Sequence, residues 1–365
     1  MFLENALRYN AEVHVLDPDA ECPCAGLATR FVQGQFDDTA TVVEFAKSAD
    51  VVSIEIEHVS VEALEVLKAQ GKTVIPDPDV LRTIKDKGLQ KAFYRTHGIP
   101  AEEFALLEDR SQIAEHRHLL PAFLKSRTGG YDGKGVMPIS SLKDVAGAFD
   151  GPCVLEKRTD IDLELAVTVV CSSDGAYAVY DPVEMVFDPR FNLVDHLRAP
   201  ARIDATIAVA ARKLAIRVAE AFGTPGIYAV EMFLTKSGQL LVNETAPRAH
   251  NSGHHTIEAC MSSQFDQILR LCMGWPLGDT ALRGHAAMIN LVGEGGTGTM
   301  EVKGLDDVLH LPGTFLHLYG KKETRIGRKM GHVTVVAESD AELDQAIAVT
   351  KVHCRAVPAI PSTTN

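Results

Sequence analysis

Positive charge is in short supply. Lys and Arg number 36 against 49 Asp and Glu, a formal net charge of −13. Such a chain repels a nucleic-acid backbone, so nucleic acid is excluded as a partner. Any phosphate site must be built locally, against the overall field. Long apolar runs are missing too, and no stretch reaches the length of a membrane-spanning helix. The opening Met-Phe-Leu-Glu-Asn-Ala lacks the basic stretch and apolar core of a secretory signal. Cysteines number seven, and the only close pair, Cys22 and Cys24, is split by one proline. No Cys-x-x-Cys and no paired Cys/His zinc spacing occurs. Reduced thiols in a cytoplasmic protein are the expectation. Internal repeats, low-complexity tracts and a Walker A motif are also absent.

With 365 residues the chain exceeds one ordinary core, and two or three domains are expected. Residues 1–76 alternate in the βα manner, with helices over 2–9, 39–47 and 61–69 and strands over 13–16, 51–56 and 73–75. That rhythm argues for a parallel sheet with covering helices. The segment opens on a helix, whereas doubly wound domains open on a strand and a Gly-rich turn. A charged helical stretch spans 79–97 and stops at Gly98-Ile-Pro100. Residues 121–170 read as an antiparallel sheet, residues 205–222 and 255–273 as helices. Short strands and a helix near 341–352 complete the pattern.

The densest chemistry lies between Glu231 and His254. Apolar residues flank a polar turn at 235–238, the mark of a β-hairpin. If the hairpin is symmetric about Ser237/Gly238, Glu231 and Glu244 face each other. Cβ atoms so placed lie ~5 Å apart, where like charges are destabilising. The pair then needs a proton or a cation between its carboxylates. Hard oxygen ligands without Cys suit Mg²⁺, which uses one or two carboxylates plus substrate phosphates. Arg248, His250, Asn251 and His254 follow at once, a run with no apolar periodicity.

Three further segments carry charge or glycine. The loop Thr128–Gly135 holds Gly129, Gly130, Gly133 and Gly135, whose backbone N–H groups suit phosphate, between Lys125 and Lys134. Val154-Leu-Glu-Lys-Arg158 is a strand end whose backbone suits an adenine edge, and Glu164 on the next strand suits ribose hydroxyls. Lys321, Lys322, Arg325, Arg328 and Lys329 form a basic cluster fit for a phosphate monoester.

Together these segments resemble the ATP-grasp superfamily, and within it the N5-carboxyaminoimidazole ribonucleotide synthetases. The matching runs are Glu55-Ile-Glu-His-Val59, Asp86-Lys-Gly-Leu-Gln-Lys91, Gly129 to Gly135, Glu231-Met-Phe, Asn243 to His254, Ser263-Gln-Phe265 and Gly327-Arg-Lys-Met-Gly-His332. The Pro-Arg-x-His-Asn-Ser-Gly-His and Gly-Arg-Lys-x-Gly-His runs are particular to that enzyme family. The glycine loop and paired glutamates are shared more widely.

The resemblance implies an α/β and α+β ATP-grasp fold. A Rossmann-like preATP-grasp domain is expected over 1–84, the ATP-grasp domain over 85–280 with a mobile lid near 120–180, and a small β-rich domain over 281–365. It implies that ATP, bicarbonate and 5-aminoimidazole ribonucleotide give ADP, phosphate and N5-carboxyaminoimidazole ribonucleotide through carboxyphosphate. Carried over, Lys87 and Lys125 contact ATP phosphates, and Gly130 to Val136 (Tyr131, Asp132, Gly133, Lys134 and Gly135 between them) form the mobile loop over ATP. Glu156, Lys157, Arg158 and Thr159 hold adenine and Glu164 the ribose. Glu231 and Glu244 ligate Mg²⁺ or Mn²⁺, with Asn243 beside them. The ribonucleotide falls to Tyr131, Asp132, Arg248, His250, Asn251, Lys321 and Arg328, and to Glu55 or Glu57. Tyr131, Asp132, Lys134, Arg248, His250 and Asn251 are the catalytic candidates.

A homodimer is implied by the resemblance alone. The chain departs from the pattern at Lys87, where many members have Arg, and at Phe187, where several have His. The family also opens on a strand and a Gly-Gly-Gly-Gln-Leu-Gly-Arg-Met turn. The chain is therefore expected to begin inside its first domain, with roughly a dozen or more residues preceding Met1. Two other readings stay open: a ligase of the formate-dependent glycinamide ribonucleotide transformylase type, and a protein that binds ATP without turnover.

Overall fold

A computed structural model describes residues 1–129 and 135–359. The βα alternation is present, with one strand beyond those the sequence pattern predicts. His14–Asp17 pairs in parallel with Arg30–Gln33, and Val51–Ser53 pairs in parallel with Thr73–Ile75. These are two separate two-stranded sheets. Arg30–Gln33 is exposed at both ends, so no alternation marks it. The strand expected over 51–56 ends at Ser53, which leaves Glu55 and Glu57 on a loop. Helices Thr39–Phe45 and Val61–Ala69 begin on the side chains of Asp38 and Ser60. They bury Val42, Leu64 and Leu67 against Leu81.

The helix expected over 79–97 is two helices, Pro78–Lys85 and Lys87–Thr96. Asp86 between them is extended, and its carboxylate accepts from the N–H groups of Gly88 (2.7 Å) and Leu89 (3.1 Å). A side chain that satisfies two of the first free N–H groups restarts a helix there. The helix expected over 255–273 is likewise interrupted: Thr256–Ala259 is followed by Gln264–Met273, capped by Ser263.

Three antiparallel sheets make the rest. The smallest orders Glu323–Thr324, Gly298–Lys303 and Arg355–Pro358, and a four-stranded one orders Phe104–Leu107, Cys153–Lys157, Ala122–Ser126 and Val136–Ile139. The largest has nine strands. Its path runs Leu240–Ala246, Gly226–Thr235, Ile161–Cys171, Val183–Asp188, Leu193–Ala199, His285–Val292, Lys329–Ala337 and Thr314–Leu318, with Tyr177–Val179 beside Ile161–Cys171. One hydrogen-bonded sheet thus continues through position 280. Ile161–Cys171 is buried on both faces over most of its length, which is why it reads as a continuous apolar run. Helix Ala205–Phe222 lays Ala211, Leu214, Ala215 and Val218 on Val167, Val169, Tyr228 and Val230. Helix Asp340–His353 packs Leu343, Ala346 and Ile347 on Ile289, Leu291, Val333 and Val335. Among the described residues no helix is long and apolar enough to cross a membrane.

Candidate active site

Glu231 and Glu244 are cross-strand partners, as the sequence predicts, but the hairpin is not symmetric. Nearer the turn Leu234 faces Leu240 and Met232 faces Val242. Continued, that register would set Glu231 against Asn243. A β-bulge inserts Asn243 and brings Glu244 opposite Glu231. Both residues then reach lysines of facing elements. Lys125 Nζ donates to Asn243 Oδ1 (3.3 Å) and Lys87 Nζ to Glu244 Oε2 (3.2 Å). Glu164 pairs with Phe233 and Glu231 with Ala166, so Glu164, Glu231 and Glu244 stand on one face of the sheet.

Their protonation follows from this crowding. Burial, then Glu244 and Glu164, pushes the Glu231 carboxyl well up. Burial acts in the same sense on Glu244, but Lys87 and Lys125 outweigh it and hold that carboxyl down. Burial raises Glu164 to about 7, with Lys125 opposing. The pair therefore takes one negative charge readily and resists the second.

The lysines are themselves pinned. Lys87 opens its helix just after Asp86, and Arg127 donates to the Asp86 carboxylate through Nε (2.9 and 3.1 Å) and a terminal nitrogen (2.6 Å). The Lys87 N–H donates to the Arg127 carbonyl (2.9 Å). Lys125 pairs with Glu156 (2.7 Å), which also approaches Lys91 (3.5 Å), itself paired with Glu102 (2.8 Å). Glu156, Lys91 and Glu102 are each 3% exposed. The Glu156 side chain thus belongs to an internal ion cluster, which leaves its backbone as the part that could face adenine. Its strand end is also partly used: Lys157 N–H donates to Glu103 O (2.9 Å) and Arg158 N–H to Pro121 O (2.8 Å). Thr159 follows on the connection to Ile161–Cys171. Gly130, Tyr131, Asp132, Gly133 and Lys134 lie outside the described residues; Gly135 and Val136 return as the loop enters Val136–Ile139.

The opposite wall begins at Arg248. Its Nε lies 3.2 Å from Glu57 Oε1. Burial raises the Glu55 carboxyl, with Arg248 and Lys321 pulling the other way, so both glutamates neighbour Arg248. His250 Nε2 lies 3.7 Å from Glu231 Oε1 and joins this wall to the carboxylates. Burial, then Arg248 and Lys329, lowers His250 to about 3, so the contact is with a neutral ring. Asn251 and Asn290 exchange amide hydrogen bonds (2.9 Å each), and Asn290 also donates to Val194 O (2.7 Å). Lys321 Nζ donates to Lys329 O (2.8 Å) and Arg328 to Glu323 O (2.7 Å). Phe187 lies on strand Val183–Asp188 and packs in the apolar cluster with Val194 and Met288.

The structure also adds residues that sequence reasoning missed: Lys91, Glu102, Arg127, Gln264 and Asn290. Their partners are distant in the chain, so only the fold reveals them. Lys91 and Gln264 do fall inside the runs Asp86–Lys91 and Ser263–Phe265 that carry the resemblance, and this was the available signal.

Residues 92–265 match the ATP-grasp domain model, residues 1–85 the ribonucleotide synthetase preATP-grasp model, and residues 286–346 the phosphoribosylaminoimidazole carboxylase C-terminal model. Fold and site thus define an ATP-grasp protein. The crystal structure of N5-carboxyaminoimidazole ribonucleotide synthetase from Thermotoga maritima superposes with a TM-score of 0.91 at 39% identity, over 98% of this chain and 96% of that one. The chain belongs to the N5-carboxyaminoimidazole ribonucleotide synthetase family. The Aspergillus clavatus synthase solved with ADP and 5-aminoimidazole ribonucleotide gives a TM-score of 0.87 at 33% identity, over 96% and 94% of the two chains. A chloroplastic phosphoribosylaminoimidazole carboxylase of Vigna aconitifolia is 36% identical over 96% of this chain, which spans 64% of that longer protein.

Proposed function

We propose that the protein is an ATP-dependent carbon–nitrogen ligase. It joins bicarbonate to 5-aminoimidazole ribonucleotide and yields N5-carboxyaminoimidazole ribonucleotide, ADP and phosphate. One observation carries this reading: His250 of the Arg248–His254 run lies 3.7 Å from Glu231 of the carboxylate pair. A triphosphate site and a second anion site therefore meet at one point. The Aspergillus clavatus relative, solved with ADP and the aminoimidazole ribonucleotide, supports the same pair of ligands.

Glu231 and Glu244 would hold Mg²⁺ or Mn²⁺, with the Asn243 amide oxygen beside them. The fit is good, because a raised carboxyl beside a lowered one is a pair awaiting a cation. When bound, the ion would neutralise charge on the transferring phosphoryl group. Lys87 and Lys125 hold the phosphates from the other side. A bicarbonate oxygen attacks the γ-phosphorus, the bond to ADP breaks, and carboxyphosphate forms. The aminoimidazole nitrogen then bonds to the carboxyl carbon, phosphate leaves, and that nitrogen loses a proton. Arg248 and the neutral His250 orient the carboxyl group, while Lys321 and Arg328 hold the ribonucleotide phosphate. Glu55 and Glu57 lie by Arg248 at the aminoimidazole end. Glu164 takes the ribose of ATP, and the strand end Glu156, Lys157, Arg158 and Thr159 borders adenine with its backbone. Domain limits at 84 and 280, a homodimeric state and a cytoplasmic location complete the proposal.

The test is ADP release measured with bicarbonate, with and without aminoimidazole ribonucleotide. Stimulation is expected only when both are present. Stimulation by formate with glycinamide ribonucleotide instead, or by neither pair, would reject this reading.

A further inference from the structure

Gln264 opens helix Gln264–Met273 and is fully buried. Its side-chain amide pairs with the backbone of His250. Oε1 accepts from the His250 N–H (2.9 Å), and Nε2 donates to the His250 carbonyl (2.9 Å). A backbone N–H meets only an acceptor and a carbonyl only a donor, so this pairing settles which end of the amide is oxygen. The second Nε2 hydrogen is left for His254 Nδ1, 2.8 Å away. That ring nitrogen has to accept it. His254 is therefore uncharged and carries its proton on Nε2. Gly253 permits the close approach, since a Cβ there would lie 2.4 Å from Gln264 Oε1. The His254 Nε2–H makes no hydrogen bond among the described residues. Its ring lies beside those of His332 and Tyr319, with centroids 5.0 and 6.4 Å away.

We propose that Gln264 is a positioning residue for carboxyl transfer: it sets the backbone at His250 and locks His254 as an uncharged Nε2–H donor. The inference deepens the functional reading above and rests on it for the substrate. The oxygen that receives the hydrogen bond belongs to the carboxyl-bearing reactant, bicarbonate or carboxyphosphate. A neutral donor steadies charge developing on that oxygen without adding a full positive charge. The amide is what makes the choice. A carboxylate in its place could still accept from the His250 N–H, but it would oppose the His250 carbonyl and the bare His254 Nδ1. The contact with His254 is restored only if that ring carries a proton on Nδ1, by changing to its other neutral form or by becoming the imidazolium.

The test uses the full chain labelled with ¹⁵N-histidine, whose ring nitrogen shifts distinguish the two neutral forms from the imidazolium. A His254→Gln sample identifies the resonance. The wild type should show the Nε2–H form across about pH 6 to 8, around the ordinary histidine range. Gln264→Glu should show His254 protonated on Nδ1, as the Nδ1–H form or the imidazolium, and lose about 100-fold in kcat, with KM for ATP within about twofold. A packing role alone would leave the tautomer unchanged. An Nδ1–H form or an imidazolium in the wild type would overturn the proposal. So would Gln264→Glu with wild-type tautomer and turnover. If Gln264→Glu does not fold, the wild-type spectrum decides. Absence of bicarbonate-dependent ADP release in the wild type would remove the functional reading alone, because the tautomer is read without catalysis.

Discussion

The two walls of the cleft are built on different principles. On the nucleotide wall ions are pinned by ions: Lys91 by Glu102, Lys125 by Glu156, Lys87 by Glu244 and Arg127 by Asp86. The other wall begins on the Arg248–Glu57 ion pair, but beyond it neutral groups are pinned by amides and hydroxyls. Gln264 holds His250 and His254, Asn290 holds Asn251, and Tyr319 meets His332 Nδ1 at 2.9 Å. Burial keeps these rings uncharged, with His250 and His332 each lowered to about 3. The carboxylate side of the site thus carries full charges in matched pairs, whereas the His250–His254 side fixes the direction of uncharged groups.

That contrast breaks first at Glu244. Glu244→Gln is expected to cut turnover by about 1000-fold, because a cation ligand is lost while the fold is kept. Steady-state ADP release at saturating Mg²⁺, beside an unchanged unfolding midpoint, checks it. Next is the buried cluster. Lys91→Met strands Glu102 and should destabilise the protein by about 3 kcal/mol, with Glu102→Leu in the same chain restoring part of it. Denaturant unfolding of the single and double variants reads this, and an additive pair would count against the clustered-ion account.

The third effect concerns pH. Glu231 is raised from 4.5, so without a cation this carboxyl holds its proton more tightly in the folded chain than in the unfolded one. Its contribution is full below about 4.5 and is lost as pH rises through the raised value. Mg²⁺ must displace that proton, so affinity should climb by up to about tenfold per pH unit from the carboxylate range upward. Calorimetric titration at several pH values checks the slope, which Glu231→Gln should flatten. The smallest change is expected at the rim. The Arg248–Glu57 pair is 24% and 32% exposed, and Arg248 keeps a bond to Ala249 O (2.9 Å). Glu57→Gln should therefore cost under about 1 kcal/mol in stability. A much larger loss would mean that the neutral wall depends on ion pairing after all.

Much of the nucleotide wall was legible from local density. Paired glutamates about a polar turn and glycines between lysines are compact signals. The bulge was not legible, since a one-residue register shift leaves the hairpin's composition unchanged. The ion cluster around Glu156 was not legible for a different reason: its partners Lys91 and Lys125 arrive from other elements, so it reads as an ordinary strand end. The helix break at Asp86 is invisible to periodicity, which runs through it, although Asp followed by Gly88 is a readable cap. On the neutral wall Arg248, His250 and Asn251 stand in one run. Asn290, which holds Asn251, arrives on a strand of the large sheet, and Gln264, which holds His250 and His254, stands at the start of the next long helix.

That sheet has a geometric consequence. Five strand steps separate Gly226–Thr235, which bears Glu231, from Lys329–Ala337. Laid flat, those strands would be roughly 24 Å apart. The Arg248–His254 run bridges them: His250 Nε2 lies 3.7 Å from Glu231 Oε1, and the His254 ring lies 5.0 Å from that of His332 on the far strand. The spacing of the carboxylate pair and the 327–332 run is therefore fixed jointly by that bridge and by the strands between them. A substitution in the middle strands, such as at Leu197, could detune the site without touching any residue in it.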